Sequence, residues 1–255
     1  MRAEKKSVQK NEHGTTAKTA SKRKLYSEAM KYADTSNPEH SFERSFALLK
    51  EGADAGDPKF LNTLGAYYEN GIGVGADAKL AFECYRKASE QGLDRATYNL
   101  GTCYFSGSGT RRNSAKAFQC FELASEKGLP EATHMLGYCY RHGIGREQNA
   151  KLGYQLEKKA AALGVTEGQF SLGVCLSKGE GVRQNKKAAL EWFLKAARRG
   201  HDEACFNVAY YYENGIGAVR NLKIAAKWYQ RSLQNGNEDA GDALLRLENS
   251  PKEAA

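Results

Sequence analysis

Glycine recurs in this chain with a period of 36 residues, and that interval restricts the fold more than any composition figure does. Gly56, Gly92, Gly128, Gly164, Gly200 and Gly236 are equally spaced. Gly71, Gly107, Gly143, Gly179 and Gly215 repeat the interval, followed two residues later by Gly73, Gly109, Gly145, Gly181 and Gly217. A third series, Gly65, Gly101, Gly137 and Gly173, has Ala209 in its fifth place. Self-similarity at a fixed period of about 20 to 50 residues marks a solenoid or array, whose units bury their apolar faces against one another. A chain of 255 residues, which would otherwise suggest one or two domains, is therefore read as a stack of short units.

Within one period the apolar spacing predicts two helices. In the first, helix A, Ala96, Leu100 and Tyr104 fall at four-residue intervals on one face, with Asp94 available as N-cap. The Gly107 to Gly109 loop ends it, since glycine turns through positive φ at little steric cost. Helix B starts after Asn113, whose equivalents Asp77, Asn149, Asn185 and Asn221 can also accept bonds from the orphan amides of a first turn. Its Ala117, Phe118, Phe121 and Ala124 mix large with small, so that neighbouring helices can approach closely. Gly128 closes it.

The ends keep this register in degraded form. Leu25 to Asp34 takes the place of a helix A, with Tyr32 equivalent to Tyr68, and Ser41 caps a helix B that carries Phe42, Phe46 and Leu49. Glu238 to Leu247 matches a last helix A and then stops, as a capping element must. The expected organisation is a degenerate repeat over 25–56, full repeats over 57–92, 93–128, 129–164, 165–200 and 201–236, and a capping helix over 237–248. A disordered basic tail is expected over 1–24 and a disordered C-terminus over 249–255.

Charge points the same way once its distribution is read. The tail holds eight basic residues against Glu4 and Glu12, so it carries +6 of the chain's net +8. Few apolar residues there could offset the entropy of ordering. Ser21-Lys22-Arg23-Lys24 reads either as a nuclear address or as a solvated run. No stretch reaches the roughly 18 apolar residues of a spanning helix, and no apolar signal-peptide core follows the start. The expected compartment is the cytoplasm, with the nucleus as the alternative through the basic tail.

The pattern Ala-x-x-x-Leu-Gly-x-x-Tyr-x-x-Gly-x-Gly, followed by Asp or Asn, then Ala, an aromatic pair and Ala-Ala-x-x-Gly, resembles the Sel-one-like repeat, a relative of the tetratricopeptide repeat. Gly173 to Gly200, with Gly179-Glu180-Gly181-Val182, Asn185, Ala188, Trp192-Phe193 and Ala196-Ala197, carries it most fully, and the likeness extends over about residues 25–248. The resemblance implies an all-α fold, an open right-handed α-solenoid of helix-turn-helix repeats. It also implies a non-enzymatic adaptor that binds other proteins, or a regulatory subunit or activator of a partner enzyme. A β-lactamase-like hydrolase, as in cysteine-rich relatives, and a basic nucleic-acid-binding solenoid are the readings from other classes.

The candidate chemistry is sparse. The cysteine-rich relatives are implied to pair cysteines within every repeat, whereas here Cys84 and Cys120 share one helix B position and Cys103, Cys139 and Cys175 one helix A position, with Cys205 alone. Trp192 and Trp228 take the cysteine place in later repeats, as expected of a packing position with reduced thiols. His13, His40, His134, His142 and His201 do not cluster, and the Gly-x-Gly loops lack the strand or the Gly-Lys-Ser/Thr ending of a phosphate loop. No cofactor, metal, small-molecule substrate or membrane is expected. Arg111, Arg112, Lys116, Arg183, Lys186, Lys187, Arg198, Arg199 and Arg220 would serve nucleic acid, but acidic neighbours offset them, so nucleic acid is not the expected partner. Helix geometry instead sets Tyr98, His134, Phe170 and Phe206, then Tyr138, Val174 and Tyr210, opposite the core face, with Arg141 one turn on to pair an acidic group. These aromatic positions are the expected protein-binding residues, lining a groove for a helix or extended peptide.

Overall fold

The structure is a computed structural model and describes residues 20–248. Among them the chain forms thirteen helices and no strand. They are α1 (20–33), α2 (Phe42–Asp54), α3 (Pro58–Asn70), α4 (Ala78–Glu90), α5 (Asp94–Ser106), α6 (Ser114–Glu126), α7 (Pro130–His142), α8 (Ala150–Ala162), α9 (Thr166–Lys178), α10 (Lys186–Arg198), α11 (Asp202–Asn214), α12 (Leu222–Gln234) and α13 (Asp239–Glu248). Odd-numbered helices are the A helices and even-numbered ones the B helices. The described residues up to Cys120 and those from Phe121 onward form two compact units, here the N-terminal and C-terminal units, divided inside α6. The basic tail is expected over 1–24, yet a helix already runs from residue 20, so Ser21 to Lys24 form its first turns and Lys22 Nζ lies 3.4 Å from Asp57. The rest of that tail and residues 249–255 fall outside the described residues.

Side-chain caps set where the B helices begin. Asp77, Asn149, Asn185 and Asn221 each accept from an amide of the first turn, and Asn113 Oδ1 accepts from the Lys116 amide at 3.0 Å. Such a bond contributes about 1 kcal/mol. Ser41 does the same for α2. The A helices differ: Leu93, Leu129 and Val165 stand at the N-caps of α5, α7 and α9 with no side-chain bond. Asp94 is thus the first helical residue and not the cap, and its carboxylate meets the positive end of the helix dipole instead.

The loop glycines have two separate duties. Gly179 adopts a left-handed φ of 80° and returns its amide to the Cys175 carbonyl, closing α9. Gly181, at φ 70°, presses on the first turn of α8, where an added Cβ would run into the Ala150 carbonyl. The third series has ordinary helical geometry and serves packing: a Cβ on Gly173 would sit 2.6 Å from the Phe193 ring, and one on Gly65 2.7 Å from Tyr85. Tyr85 and Phe193 therefore each lie on a bare patch of their A helix, while Tyr229 meets Ala209 at the same register.

Those contacts build the cores. In the N-terminal unit Leu49, Phe60, Leu61, Leu64 and Tyr67 form one cluster, and Ala81, Tyr85, Leu100 and Cys103 another. In the C-terminal unit Leu172, Leu190, Phe193, Val208 and Tyr211 are buried together, each large side chain contributing about 1.5–3 kcal/mol. α13 ends the stack by covering Ala209, Ala225 and Tyr229 with Ala240 and Ala243.

Candidate functional site

The residues expected to face a partner divide into those turned into the repeats and those left at the surface. Phe170 lies 5.8 Å from the Phe193 ring and stacks on His201 at 4.4 Å, while Phe206 meets Tyr229 edge-on at 5.2 Å. Both rings are half-buried packing residues. His134 Nδ1 stands 2.8 Å from Glu157 Oε2. Tyr98 is half-buried, with the Arg95 guanidinium 5.9 Å above its ring. Arg141 is a correction: expected to greet an acidic group on a partner, it is only 7% exposed and donates from Nη2 to Glu180 Oε2 at 2.6 Å. The reason is local. Glu180 sits in the loop after α9 and folds back on α7, so the guanidinium is claimed within the chain.

What remains at the surface is one register position of the A helices. It reads Ala66 and Thr102 in the N-terminal unit, then Tyr138, Val174 and Tyr210 in the C-terminal unit. Tyr138 is half-buried beside the His142 ring, 4.3 Å away, and Tyr210 is 45% exposed. Burial and the nearby Arg141 charge hold the His142 pKa below its usual value.

A buried ionic cluster lies behind this column, and sequence reasoning missed it. Glu157, on α8, is 0% exposed and occupies the register of Leu49, Tyr85, Phe121, Phe193 and Tyr229. Beside its contact with His134, its Oε1 lies 3.7 Å from Arg141 Nη1. Gly153 stands where α4, α6, α10 and α12 have alanine and α2 has Ser45, and an added Cβ there would strike Arg141 Cγ. The missing methyl makes room for the guanidinium. Burial pushes the Glu157 carboxyl above the ordinary carboxylate range, opposed by His134 and Arg141. Burial also opposes the Arg141 charge, but Glu180 and its other anionic neighbours hold that pKa up. Two buried atoms of the cluster make no hydrogen bond, Glu157 Oε1 and Arg141 Nε. The signal was in the repeat: the position sixteen residues before the large B-helix residue holds Glu69 for Tyr85, Arg141 for Glu157 and Glu213 for Tyr229. Tyr85 and Tyr229 donate to Glu69 and Glu213 at 2.6 and 2.7 Å. One pair site is thus used twice for a phenol on a carboxylate and once with its charges rearranged.

The six cysteines are all free thiols. Burial pushes Cys103, Cys120, Cys139 and Cys175 up to about 11, far from the thiolate that nucleophilic chemistry needs. Among the described residues no group of three His, Cys, Asp or Glu side chains could hold a metal ion.

Paired helices of equal length, capped alike and closed by the same glycines, define an all-helical tandem-repeat protein, whose side chains recur in columns along its faces. The Sel1 repeat profile matches residues 61–93, 94–129, 130–165, 166–201 and 202–237, and the chain belongs to the Sel1 repeat family. Sel1 repeat proteins generally mediate protein–protein interaction. The chain is similar to the crystal structure of a Sel1 repeat protein from Oxalobacter formigenes, with 28% identity, a TM-score of 0.75 and 86% of each chain covered. It is also similar to c5321, a protective antigen of uropathogenic Escherichia coli with an SLR fold, at 28% identity and a TM-score of 0.73. That match covers 94% of this chain but only 51% of the antigen, so the chain spans about half its length. Immunity protein Pa5087 from Pseudomonas aeruginosa shares the fold at 21% identity and a TM-score of 0.57, covering 86% of this chain and 83% of its own. No curated protein matches.

Proposed function

We propose that the chain is a non-enzymatic adaptor, and that a partner protein docks on the A-helix column Tyr138, Val174 and Tyr210 of the C-terminal unit. One observation carries this reading. At a position where the N-terminal unit has Ala66 and Thr102, the C-terminal unit has two tyrosines, and Tyr210 presents 45% of its surface to solvent. Burial in the core does not account for so large a side chain there, and tyrosine is enriched at the anchoring positions of protein interfaces. The half-buried Tyr138 and Val174 continue the apolar track along α7 and α9, suited to the spaced anchors of a helix or an extended peptide. Thiols held protonated by burial fit a reducing compartment, and we place the adaptor in the cytoplasm.

The test compares wild type with the Tyr138→Ala/Tyr210→Ala variant in titrations against a captured partner. An anchor of this kind contributes about 2 kcal/mol, so affinity is expected to fall roughly thirtyfold while the melting temperature holds. Undiminished affinity, or a loss of stability without a separable binding defect, would show that the rings belong to the fold alone.

A further inference from the structure

Basic side chains gather in space in the C-terminal unit, and of those considered above for nucleic acid only Lys187, Arg198 and Arg199 are among them. In the C-terminal unit the B helices α8, α10 and α12 carry two ladders of identical register. Lys151, Lys187 and Lys223 form the first, and Lys159, Lys195 and Arg231 the second. All six are exposed. Lys158, Arg198, Arg199 and Lys227 lie beside them, also exposed, and Glu191 is the one exposed acidic side chain among the described residues of these three helices. None of the ladder residues makes an ion pair among the described residues. Six of the unit's acids, Glu131, Glu167, Asp202, Glu203, Asp239 and Asp242, lie on the first turns of the A helices, and others lie in the loops, at the end of α11 and on α6, off these three helices. The N-terminal unit provides the internal control. Its same register positions hold Glu43 and Glu51 on α2 and Lys79 and Lys87 on α4, so there the lysines stand on one helix alone, next to Arg86 paired to Glu83 and Glu90.

The three helices form a continuous surface. Arg231 Nη2 donates to the Arg198 carbonyl at 3.2 Å, and Asn235 Nδ2 to the Gly200 carbonyl at 3.1 Å, tying the end of α12 to the end of α10. Arg199 reaches back to within 3.6 Å of where a Cβ on Gly164 would stand, at the end of α8. Between the ladders, the indoles of Trp192 and Trp228 are half-buried and covered by their own cations, Lys195 Nζ at 3.6 Å and Arg231 Cζ at 5.4 Å from the ring centres. None of the exposed large apolar side chains lies between the ladders. The face therefore offers neither a bare ring for stacking nucleobases nor an apolar wedge for a bilayer; it offers positive charge in a regular array.

We infer that the ladders on α8, α10 and α12 are a second docking surface, for an acidic segment of a partner protein. This rests on the adaptor reading above, which makes the partner a protein and its anions carboxylates. The array sets the spacing. Each of these helices packs on the A helices to either side of it, and directly packed helices stand about 10 Å apart, so an extended chain advancing about 3.3 Å per residue meets successive rungs no closer than about every third residue. The two ladders are eight residues apart on each helix, about 12 Å along its axis. An extended segment with Asp or Glu at every third position fits one ladder, and a second strand or a returning loop would fit the other.

The experiment uses the full chain and a fluorescein-labelled peptide with Glu at every third position, read by anisotropy at several salt concentrations. Parallel titrations use a duplex DNA oligonucleotide and phosphatidylserine-containing vesicles. Lys159→Glu/Lys195→Glu/Arg231→Glu reverses one ladder, and Lys79→Glu/Lys87→Glu is the control on α4. The ladder variant is expected to bind the peptide at least about tenfold more weakly, with a flattened salt dependence, and the control to stay within about twofold of wild type. Equal loss in both variants, or none in either, would overturn the assignment, as would tighter binding of DNA or vesicles than of the peptide through the same ladder. The tyrosine variant of the preceding section separates the two proposals: it should bind this peptide normally, so failure of the ladder leaves the tyrosine column standing and the reverse also holds.

Discussion

Replacing His134→Phe, Arg141→Ser, Gly153→Ala and Glu157→Phe together would give α7 and α8 the side chains that α9 and α10 carry at the same register, namely Phe170, Ser177, Ala189 and Phe193. There Phe193 lies against Gly173 and packs on Phe170, and Gly137 supplies the same bare patch beneath residue 157. The energetic question is whether the native ions earn their place. Arg141 Nη1 and Glu157 Oε1 are 3.7 Å apart, which is worth about 4 kcal/mol at an effective dielectric constant of roughly 20, and the Arg141–Glu180 and His134–Glu157 hydrogen bonds at 2.6 and 2.8 Å would be lost with that pair. Against that stand a desolvation cost of several kcal/mol for each ion and about 1–3 kcal/mol for each buried atom without a hydrogen bond, here Glu157 Oε1 and Arg141 Nε. The fourfold variant is therefore expected to be about 1–4 kcal/mol more stable than wild type. Glu157→Ala alone, which takes a counter-ion from Arg141 and a hydrogen-bond partner from His134 and opens a cavity, should cost about 3–5 kcal/mol. Urea unfolding followed by the fluorescence of Trp192 and Trp228, both in the C-terminal unit, measures both changes. A fourfold variant that unfolds at lower urea than wild type with an unchanged m-value would refute the reasoning, because the ions would then be net stabilising.

The same cluster makes a pH prediction. Glu157 binds its proton more tightly folded than unfolded, so its contribution to stability is largest in acid and is lost as pH rises from about the ordinary 4.5 through the raised folded value. Across that window wild type should lose melting temperature relative to Glu157→Gln, and parallel curves for the two would refute the shift. At the other end of the chain, deleting residues 239–248 should bare Ala225 and Tyr229 and leave Glu213 without Arg246, lowering stability by at least about 1.5–3 kcal/mol and reducing solubility. An unchanged melting curve would show that α13 is not a cap.

Most of the architecture was legible because its signals are periodic. Five B-helix caps and the loop glycines repeat at one spacing, so each supports the others, and the structure shows every one of those caps bonded. The A-helix starts were less legible: leucine and valine at α5, α7 and α9 leave no side-chain signature, which is how Asp94 drew the cap assignment. Arg141 was misread for a different reason. Its partner Glu180 lies 39 residues on, in the loop where other repeats have isoleucine or serine, and an arginine taken alone at a helix end reads as exposed. Periodicity also hid the cluster, because attention to what repeats passes over the one repeat where Gly153 and Glu157 depart together. The charged ladders were invisible to a net-charge count, since the bases of α8, α10 and α12 and the acids elsewhere in the unit cancel in the sum.

The adaptor claim is tested most directly by placing a photo-crosslinking amino acid at position 210 of the full chain, and irradiating it in an extract of the source cells. The account expects a discrete protein adduct at position 210, diminished when Tyr138→Ala is added, and none from the same group at Ser114 on α6, off the column. Absence of any adduct at 210, or equal yields from both positions, would contradict a partner seated on the A-helix column.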